Sequence, residues 1–387
     1  MKCEETRKKL DAYLHGTCTP EEERAIEEHL HTCGECGRYM EEHLKRQASP
    51  DADPAIPELS REEQRKIVRK AKWKNRFATS IVVFNIFIII SLISMMATGI
   101  IYAFIGTDAN RVIQTAVQMT MPNVYSDAGG TNIKVFFNAD LEGSLQKRVG
   151  SEERYVGKYH GKMILNHLNF SREWVDGRYD LDLYFLHPQV FASQQEEEKE
   201  SYRRGANETW EALKMLPEGT VSELAVSLDD VYSFDEMYQI LKDYDVEIVW
   251  YAVDTGTEEE RDSHLLSMGE TLWGIHEYAL HSLVEEDVYQ EKGDGHIREK
   301  AFKNGLALLA EHERWAEKVI WNYDETSIKD IQKYVDEHGV KCYGAVLTGP
   351  TKELLKLAGN EHVIYAALGE VDFWNWYNKD AGGALYH

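Results

Sequence analysis

The N-terminal residues contain histidine and cysteine side chains at the spacing of a metal site. His29, Cys33 and Cys36 follow the pattern H-x3-C-x2-C. His29 and Cys33 lie four residues apart, so a helix presents both on one face. The two-residue gap before Cys36 is the usual way in which two thiolates reach one ion. The spacing therefore predicts a Zn²⁺ site.

A tetrahedral zinc ion needs a fourth ligand, and Cys3 is the best candidate for it. The other side chains that could serve are Cys18, His15 and His31. Buried thiols without a metal are the alternative interpretation of these cysteines. A purely structural ion and a redox-responsive one are both compatible with the ligand set.

Short amphipathic helices must position these ligands. Thr19-Pro20-Glu21-Glu22 has the form of a capping box with proline at the first helical position, and it predicts a helix that carries His29. Helices are also expected before it and after Cys36. Three short helices are too small to be stable through core burial alone. A structural zinc ion can supply the missing stability, on the order of 10 kcal/mol.

A long apolar segment follows this helical head. Residues 77–105 contain no charged side chain, and a helix needs about 20 apolar residues to cross the hydrocarbon core of a bilayer. A buried core helix is the alternative, which the absence of charge over so many turns disfavours. We therefore expect one transmembrane helix.

The flanking charges predict the direction of this helix. Residues 61–76 contain eight basic side chains, whereas Asp108 and Arg111 are the first charged residues after the segment. Basic flanks stay on the cytoplasmic side. We expect a single-pass protein of the bacterial cell membrane, with a cytoplasmic N-terminus and an extracytoplasmic C-terminal domain.

The excess of acidic over basic residues lies after the apolar segment. The chain has a net charge of −24, and residues 106–387 carry 27 basic and 51 acidic side chains. Residues 1–46 hold eight basic against eleven acidic side chains. A head that binds nucleic acid needs surplus positive charge, so direct contact with nucleic acid is disfavoured.

The C-terminal region has a mixed pattern of helices and strands, which predicts an α/β or α+β domain. The expected strands are 132–141, 178–186, 221–229, 246–253, 341–347 and 362–368. The expected helices are 234–244, 263–285, 297–318, 325–338 and 351–358.

The chain is thus expected to be a multi-domain protein with five parts. They are an all-α zinc-binding head (1–48), a proline-containing linker with a basic juxtamembrane helix (49–76), the transmembrane helix (77–105), a membrane-proximal extracytoplasmic region (106–200) and an extracytoplasmic regulator domain (201–387).

Catalytic motifs are missing from the sequence. It contains no G-x-S-x-G and no P-loop. His276-Glu277 and His281 are one residue too widely spaced for the zinc-protease motif H-E-x-x-H. We do not expect an enzyme. A membrane-anchored ectoenzyme or a ligand-binding receptor with a structural zinc head is the alternative.

At Cys3, His29, Cys33 and Cys36 the sequence resembles the zinc-containing anti-sigma factors of bacteria. That family has an early cysteine followed by H-x3-C-x2-C in a small helical domain. The resemblance implies these four residues as the zinc ligands, Zn²⁺ as the cofactor and no catalytic residue.

A second resemblance lies beyond the apolar segment. Sigma-factor regulator domains are similar to this chain in three segments, Leu216–Leu228, Tyr365–Trp376 and Met121–Val124. Together the two resemblances imply a membrane-bound anti-sigma factor. Its cytoplasmic helices would hold an extracytoplasmic-function sigma factor away from RNA polymerase and release it on an external signal, by a conformational change or by cleavage.

Overall fold

The computed structural model describes residues 2–47, 60–126, 129–175, 183–258, 265–267, 272–284, 295–320 and 327–374. The chain forms two compact units, Met1–Asn85 and Ile86–His387.

Three short helices begin the first unit: α1 (Cys3–Leu14), α2 (Pro20–Thr32) and α3 (Gly34–Gln47). Leu10 and Ile26 are fully buried between them. The predicted capping box is confirmed, because the Thr19 hydroxyl accepts a hydrogen bond from the Glu22 backbone and the Glu22 carboxylate accepts one from Thr19. Lys9 contacts Glu22 at 2.6 Å and joins α1 to α2. The apolar core is small, as the sequence predicts.

A single helix, α4 (Arg61–Thr120), passes through both units. It begins at a second capping box, in which Ser60 and Glu63 bond to each other's backbone. It contains a stretch long and apolar enough to cross a membrane. The helix extends beyond residues 77–105 in both directions. Apolar residues recur at helical spacing up to Val117, and from Ala109 onward they are buried in the second unit.

After α4, the second unit contains an antiparallel meander that the sequence did not predict as such. Its strands are β1 (Gly129–Ile133), β2 (Asn138–Val149), β3 (Glu152–Ile164) and β4 (His167–Trp174), paired in that order. Leu141, Tyr159 and Met163 turn their side chains into the core that contains the end of α4.

A larger antiparallel sheet follows, in the spatial order β11-β6-β10-β7-β9. Its strands are β6 (Thr220–Tyr232), β7 (Glu247–Val253), β9 (Gly274–His276), β10 (Cys342–Pro350) and β11 (Val363–Phe373), and a short pair joins β5 (Phe185–Leu186) to β8 (Leu265–Leu266).

The helices of this unit are α5 (Pro188–Ser193), α6 (Glu196–Met215), α7 (Phe234–Leu241), α8 (Gly295–Glu311), α9 (Glu313–Val319), α10 (Ile328–His338) and α11 (Thr351–Lys356). The predicted fold class, a small helical head, one apolar helix and a mixed C-terminal domain, is confirmed. Because every described strand pair is antiparallel, the α+β alternative is the one observed.

Several predicted elements are wrong in detail. The strand 132–141 is divided by a turn at 134–137, and the helix 297–318 is interrupted at His312. In place of a helix over 263–285, the described residues form β8, β9 and a 3₁₀ turn. β9 pairs with β7, which is remote in sequence, and local periodicity carries no information about such a partner. Part of the predicted strand 178–186 lies outside the described residues.

Buried polar groups join the two sheets. The Asn123 amide donates to Glu223 Oε1 at 2.6 Å, and Lys147 contacts Glu223 at 3.1 Å. Arg148 contacts Glu247 at 3.4 Å. Burial raises the pKa of Glu247 to about 7, although Arg148 opposes that shift. Burial lowers the pKa of His276 to about 3. The joint between the sheets therefore contains groups whose charge state depends on folding.

Replacing Glu247 by glutamine should change how stability depends on pH. The folded chain holds a proton on Glu247 more tightly than the unfolded chain, so this group's contribution is full below pH 4.5 and is lost as the pH rises through about 7. The unfolding free energy of E247Q minus that of the wild type should therefore rise by about 2 kcal/mol as the pH is raised from about 5 to about 8. Urea unfolding of the full chain in detergent, followed by tryptophan fluorescence, measures this difference.

The difference in unfolding free energy between the two proteins reports the contribution of Glu247 alone, because His276 is present in both and its contribution cancels. A constant difference across this pH range would contradict the assignment.

Candidate metal centre

The first unit brings together the four residues that the sequence proposes as zinc ligands. The sulfur atoms of Cys3, Cys33 and Cys36 and one ring nitrogen of His29 all lie within 4.8 Å of one another. The Cys3 and Cys33 sulfur atoms are 3.8 Å apart. Their role as zinc ligands stays a prediction, but the geometry that it requires is present.

Each ligand is positioned by a helix end. Cys3 is the first residue of α1, and His29 lies in the last turn of α2. Cys33 follows α2 directly, with its backbone N–H donating to His29 O at 2.8 Å, and Cys36 lies in the first turn of α3. The sharp change of direction between α2 and α3 therefore turns two neighbouring thiols toward one point.

The groups around the helix ends also change the pKa values of the thiols. The backbone N–H of Cys36, together with the Cys3 thiol and the N–H of Glu35, lowers the pKa of Cys33. The hydrogen bond to Cys33 raises the pKa of Cys3. Thiolates at helix N-termini are stabilised in this way, and the thiolate is the form that binds a metal.

The environment of His29 fits a metal ion. Its Nε2 atom is buried and has no hydrogen-bond partner among the residues that the structure describes. Cys36 is also buried. One imidazole and three thiolates form a donor set typical of closed, tetrahedral zinc sites. A zinc ion would link the three helices and satisfy the buried nitrogen.

The alternative fourth ligands are not part of this group. Cys18, His15 and His31 are absent from the cluster of donor atoms, and both histidines are exposed. Among the three alternatives and Cys3, the fold places only Cys3 beside the H-x3-C-x2-C residues.

A second group of potential ligands was missed by sequence reasoning. His187, Asp254 and Glu258 are all buried in the second unit, with their donor atoms within 4.8 Å of one another. The sole local sign of this group in the sequence is that Asp254 and Glu258 lie four residues apart after a strand, and such a spacing is weak evidence for a metal site. His187 is remote in sequence from both.

Three family models match the chain. They are described as "Putative zinc-finger" (residues 3–37), sigma factor regulator N-terminal (65–154) and sigma factor regulator C-terminal (213–370). The zinc-finger match contains all four clustered residues, and the other two contain most of α4 and the larger sheet.

A relative matches along almost the whole chain. It is a Bacillus subtilis (strain 168) protein named probable anti-sigma-M factor YhdL, 29% identical over 387 residues, which is 97% of this chain and 100% of the relative. No solved structure matches.

Replacing Cys36 by serine should remove one zinc ion per chain, because the cluster then has three ligands and a hydroxyl in place of a buried thiolate. Metal analysis of the full chain, purified at neutral pH, measures the loss. C18S is the matched control, since Cys18 lies outside the cluster, and it should retain the ion. Equal zinc content in both variants would contradict the ligand assignment.

Proposed function

Because the chain is an anti-sigma factor with a zinc-finger head and a sigma factor regulator domain, we propose that helices α1–α3 and the start of α4 bind an extracytoplasmic-function sigma factor at the inner face of the membrane. The bound sigma factor is kept from RNA polymerase. A signal received by the second unit on the outer face releases it.

The main support is the convergence of Cys3, His29, Cys33 and Cys36 within a domain whose apolar core is very small. A zinc ion on these four side chains holds three short helices in a fixed arrangement. Binding energy of a structural zinc ion is folding energy in such domains. The metal therefore has a structural role, and the helices supply the surface for the partner.

Exposed apolar side chains in the first unit support a protein partner. Tyr39 and Leu44 on α3, and Ile67 and Val68 on α4, are all exposed. Ile67 and Val68 precede the apolar segment by about ten residues, so lipid does not account for their exposure. An amphipathic helix that lays its apolar face against a partner is a common mode of recognition.

The orientation follows from the charges of α4. Its first sixteen residues include eight basic side chains, whereas the part after the apolar segment joins an acidic unit. Basic residues are retained in the cytoplasm. These charges support a head on the inner side, where a sigma factor is found, and a second unit on the outer side, the arrangement that a transmembrane regulator requires.

Deleting the protein should raise transcription from promoters that depend on the sigma factor, and a tagged full chain should co-purify with that sigma factor from membranes.

I67D should retain zinc but weaken binding at least tenfold, a loss of about 1.4 kcal/mol, because a buried charge replaces an apolar contact. The retained partner, identified by mass spectrometry, and a promoter reporter measure these effects.

M215D is the matched control, because Met215 is also exposed and apolar but belongs to the second unit. It should bind the partner as wild type does.

Protease treatment of intact protoplasts tests the orientation, because it should remove a C-terminal tag and spare an N-terminal one. Unchanged sigma-dependent transcription after the deletion would refute the proposal.

A further inference from the structure

Three side chains from separate parts of the second unit converge in its interior. His187 precedes α5, Asp254 directly follows β7, and Glu258 lies four residues farther on. Their exposed fractions are 1%, 7% and 4%. Neighbouring N–H and O–H groups donate hydrogen bonds to both carboxylates, whereas the buried imidazole has no such partner among the described residues, so its burial requires a physical explanation.

The imidazole of His187 points to a ligand. Neither ring nitrogen has a hydrogen-bond partner among the described residues. Nε2 lies 3.6 Å from Asp254 Oδ1, which is too long for a hydrogen bond. Two ligands bound to one tetrahedral ion at about 2.0 Å are separated by about 3.3 Å. The separation is therefore close to that expected on either side of a metal ion.

Neighbouring groups hold both carboxylates in place. The Tyr334 hydroxyl donates to Asp254 Oδ2 at 2.8 Å, and the Thr255 hydroxyl donates to Glu258 Oε1 at 2.7 Å. Hydrogen bonds of this kind orient the ligands of metal sites. Asp254 Oδ1 faces His187 and also accepts a hydrogen bond from the Gly256 backbone at 3.1 Å.

The charge of the group favours a divalent cation. When both carboxylates are ionised, as metal binding requires, they contribute two negative charges, and the imidazole contributes at most one positive charge. Apolar and aromatic side chains, including Phe185, Leu186 and Tyr343, surround this part of the core. A divalent ion would balance the charge in a region from which water is excluded.

We infer that His187, Asp254 and Glu258 bind a divalent transition-metal ion in the extracytoplasmic unit. A nitrogen and two oxygen ligands suit Zn²⁺, whereas Ca²⁺ and Mg²⁺ prefer oxygen ligands alone. The ion would tie the start of α5 to the segment that follows β7. This inference depends on residues that the proposed zinc head does not use.

Metal analysis of the full chain, loaded with Zn²⁺ and freed of excess metal, should find two ions. D254N and H187A should each reduce the content from two ions to one, and C36S should do the same by emptying the head. The double variant H187A/C36S should hold none. H167A is the control, because His167 is exposed on β4, and it should retain two ions.

D254N preserves the shape of the side chain, and circular dichroism separates loss of metal from loss of fold. One ion in the wild-type chain, lost in C36S and kept in D254N, would overturn this inference and leave the zinc head intact. Binding of Ca²⁺ with no binding of Zn²⁺ would overturn the assigned metal class.

The turns of the meander are hydrogen-bonded to the apolar part of α4. The Ser94 hydroxyl accepts from the Phe136 backbone at 2.7 Å, and the Thr98 hydroxyl accepts from the Phe137 backbone at 3.0 Å. The Tyr102 hydroxyl donates to Phe137 O and to the carbonyl of the β3–β4 turn. Both turns therefore lie beside the same stretch of helix.

These turns expose large apolar side chains. Phe136 is 44% exposed and Leu165 is 55% exposed, and Ile133 and Ile164 beside them are exposed as well. Phe136, Phe137 and Leu165 also have φ angles of 58°, 58° and 54°. Bulky residues rarely adopt this conformation, where Gly or Asn is usual. Exposed apolar residues at strained turns indicate a function.

The length of the apolar segment places the turns at the outer surface of the membrane. The uncharged stretch covers residues 77–105, but about 20 residues suffice to cross the hydrocarbon core. A crossing that begins at Phe77 therefore ends near Ser94 and Thr98, the two residues bonded to the meander.

We propose that Ile133, Phe136, Ile164 and Leu165 insert into the outer leaflet of the bilayer. This rests on the proposed crossing by α4 and is independent of the sigma factor. The lipid would cover the exposed side chains, and the hydrogen bonds to α4 would fix the meander against the membrane surface.

A photo-crosslinking amino acid at Phe136 or Leu165 should attach lipid when the full chain is reconstituted in vesicles of phosphatidylglycerol and phosphatidylethanolamine. The same substitution at Phe87, within the apolar segment, is the positive control. Phe373 is exposed on β11, away from the turns in sequence, and should give no lipid adduct. Mass spectrometry detects the adducts.

Lipid adducts at Phe87 without any at Phe136 or Leu165 would overturn this proposal and leave the membrane crossing intact. Adducts to a second copy of the chain at these positions would also overturn it. Absence of adducts at all three would refute the crossing itself.

Discussion

The continuity of α4 is the constraint on which the rest of the protein depends. A chain that crosses a bilayer must satisfy its backbone hydrogen bonds internally, and a helix does so. Here the helix continues after the crossing, and its last turns, from Ala109 to Thr120, form part of the core of the second unit. The membrane segment and the folded domain are therefore one element, with no linker between them.

This continuity couples the end of α4 mechanically to the core of the second unit. A structural change in the second unit acts directly on residues at the end of α4, such as Val112 and Ala116, which are fully buried there. Movement of a rigid helix is transmitted along its length, whereas a flexible linker would absorb it. The polar joint formed by Asn123, Lys147 and Glu223 lies just after the helix and connects the two sheets.

The cysteine–histidine cluster of the first unit shows how far local sequence can predict a candidate site. The spacing of His29, Cys33 and Cys36 is set by one helix end and a tight turn, so three members of the cluster follow from neighbouring residues. Cys3 required the packing of α1 against the other two helices, and the sequence left three alternatives open. The His187 group could not be predicted, because its members approach one another only when α5 and the end of β7 are placed in the fold.

The sequence by itself determined the order of the helical head, the apolar helix and the mixed C-terminal domain, the uncharged segment, the capped start of α2, and most strands of the larger sheet. These features depend on the composition and periodicity of neighbouring residues. Only the tertiary structure decided where α4 ends, that β9 pairs with β7 rather than forming part of a helix, and that residues 129–174 form a meander. The reason is that strand pairing and burial depend on contacts between residues far apart in the chain, which local patterns do not specify.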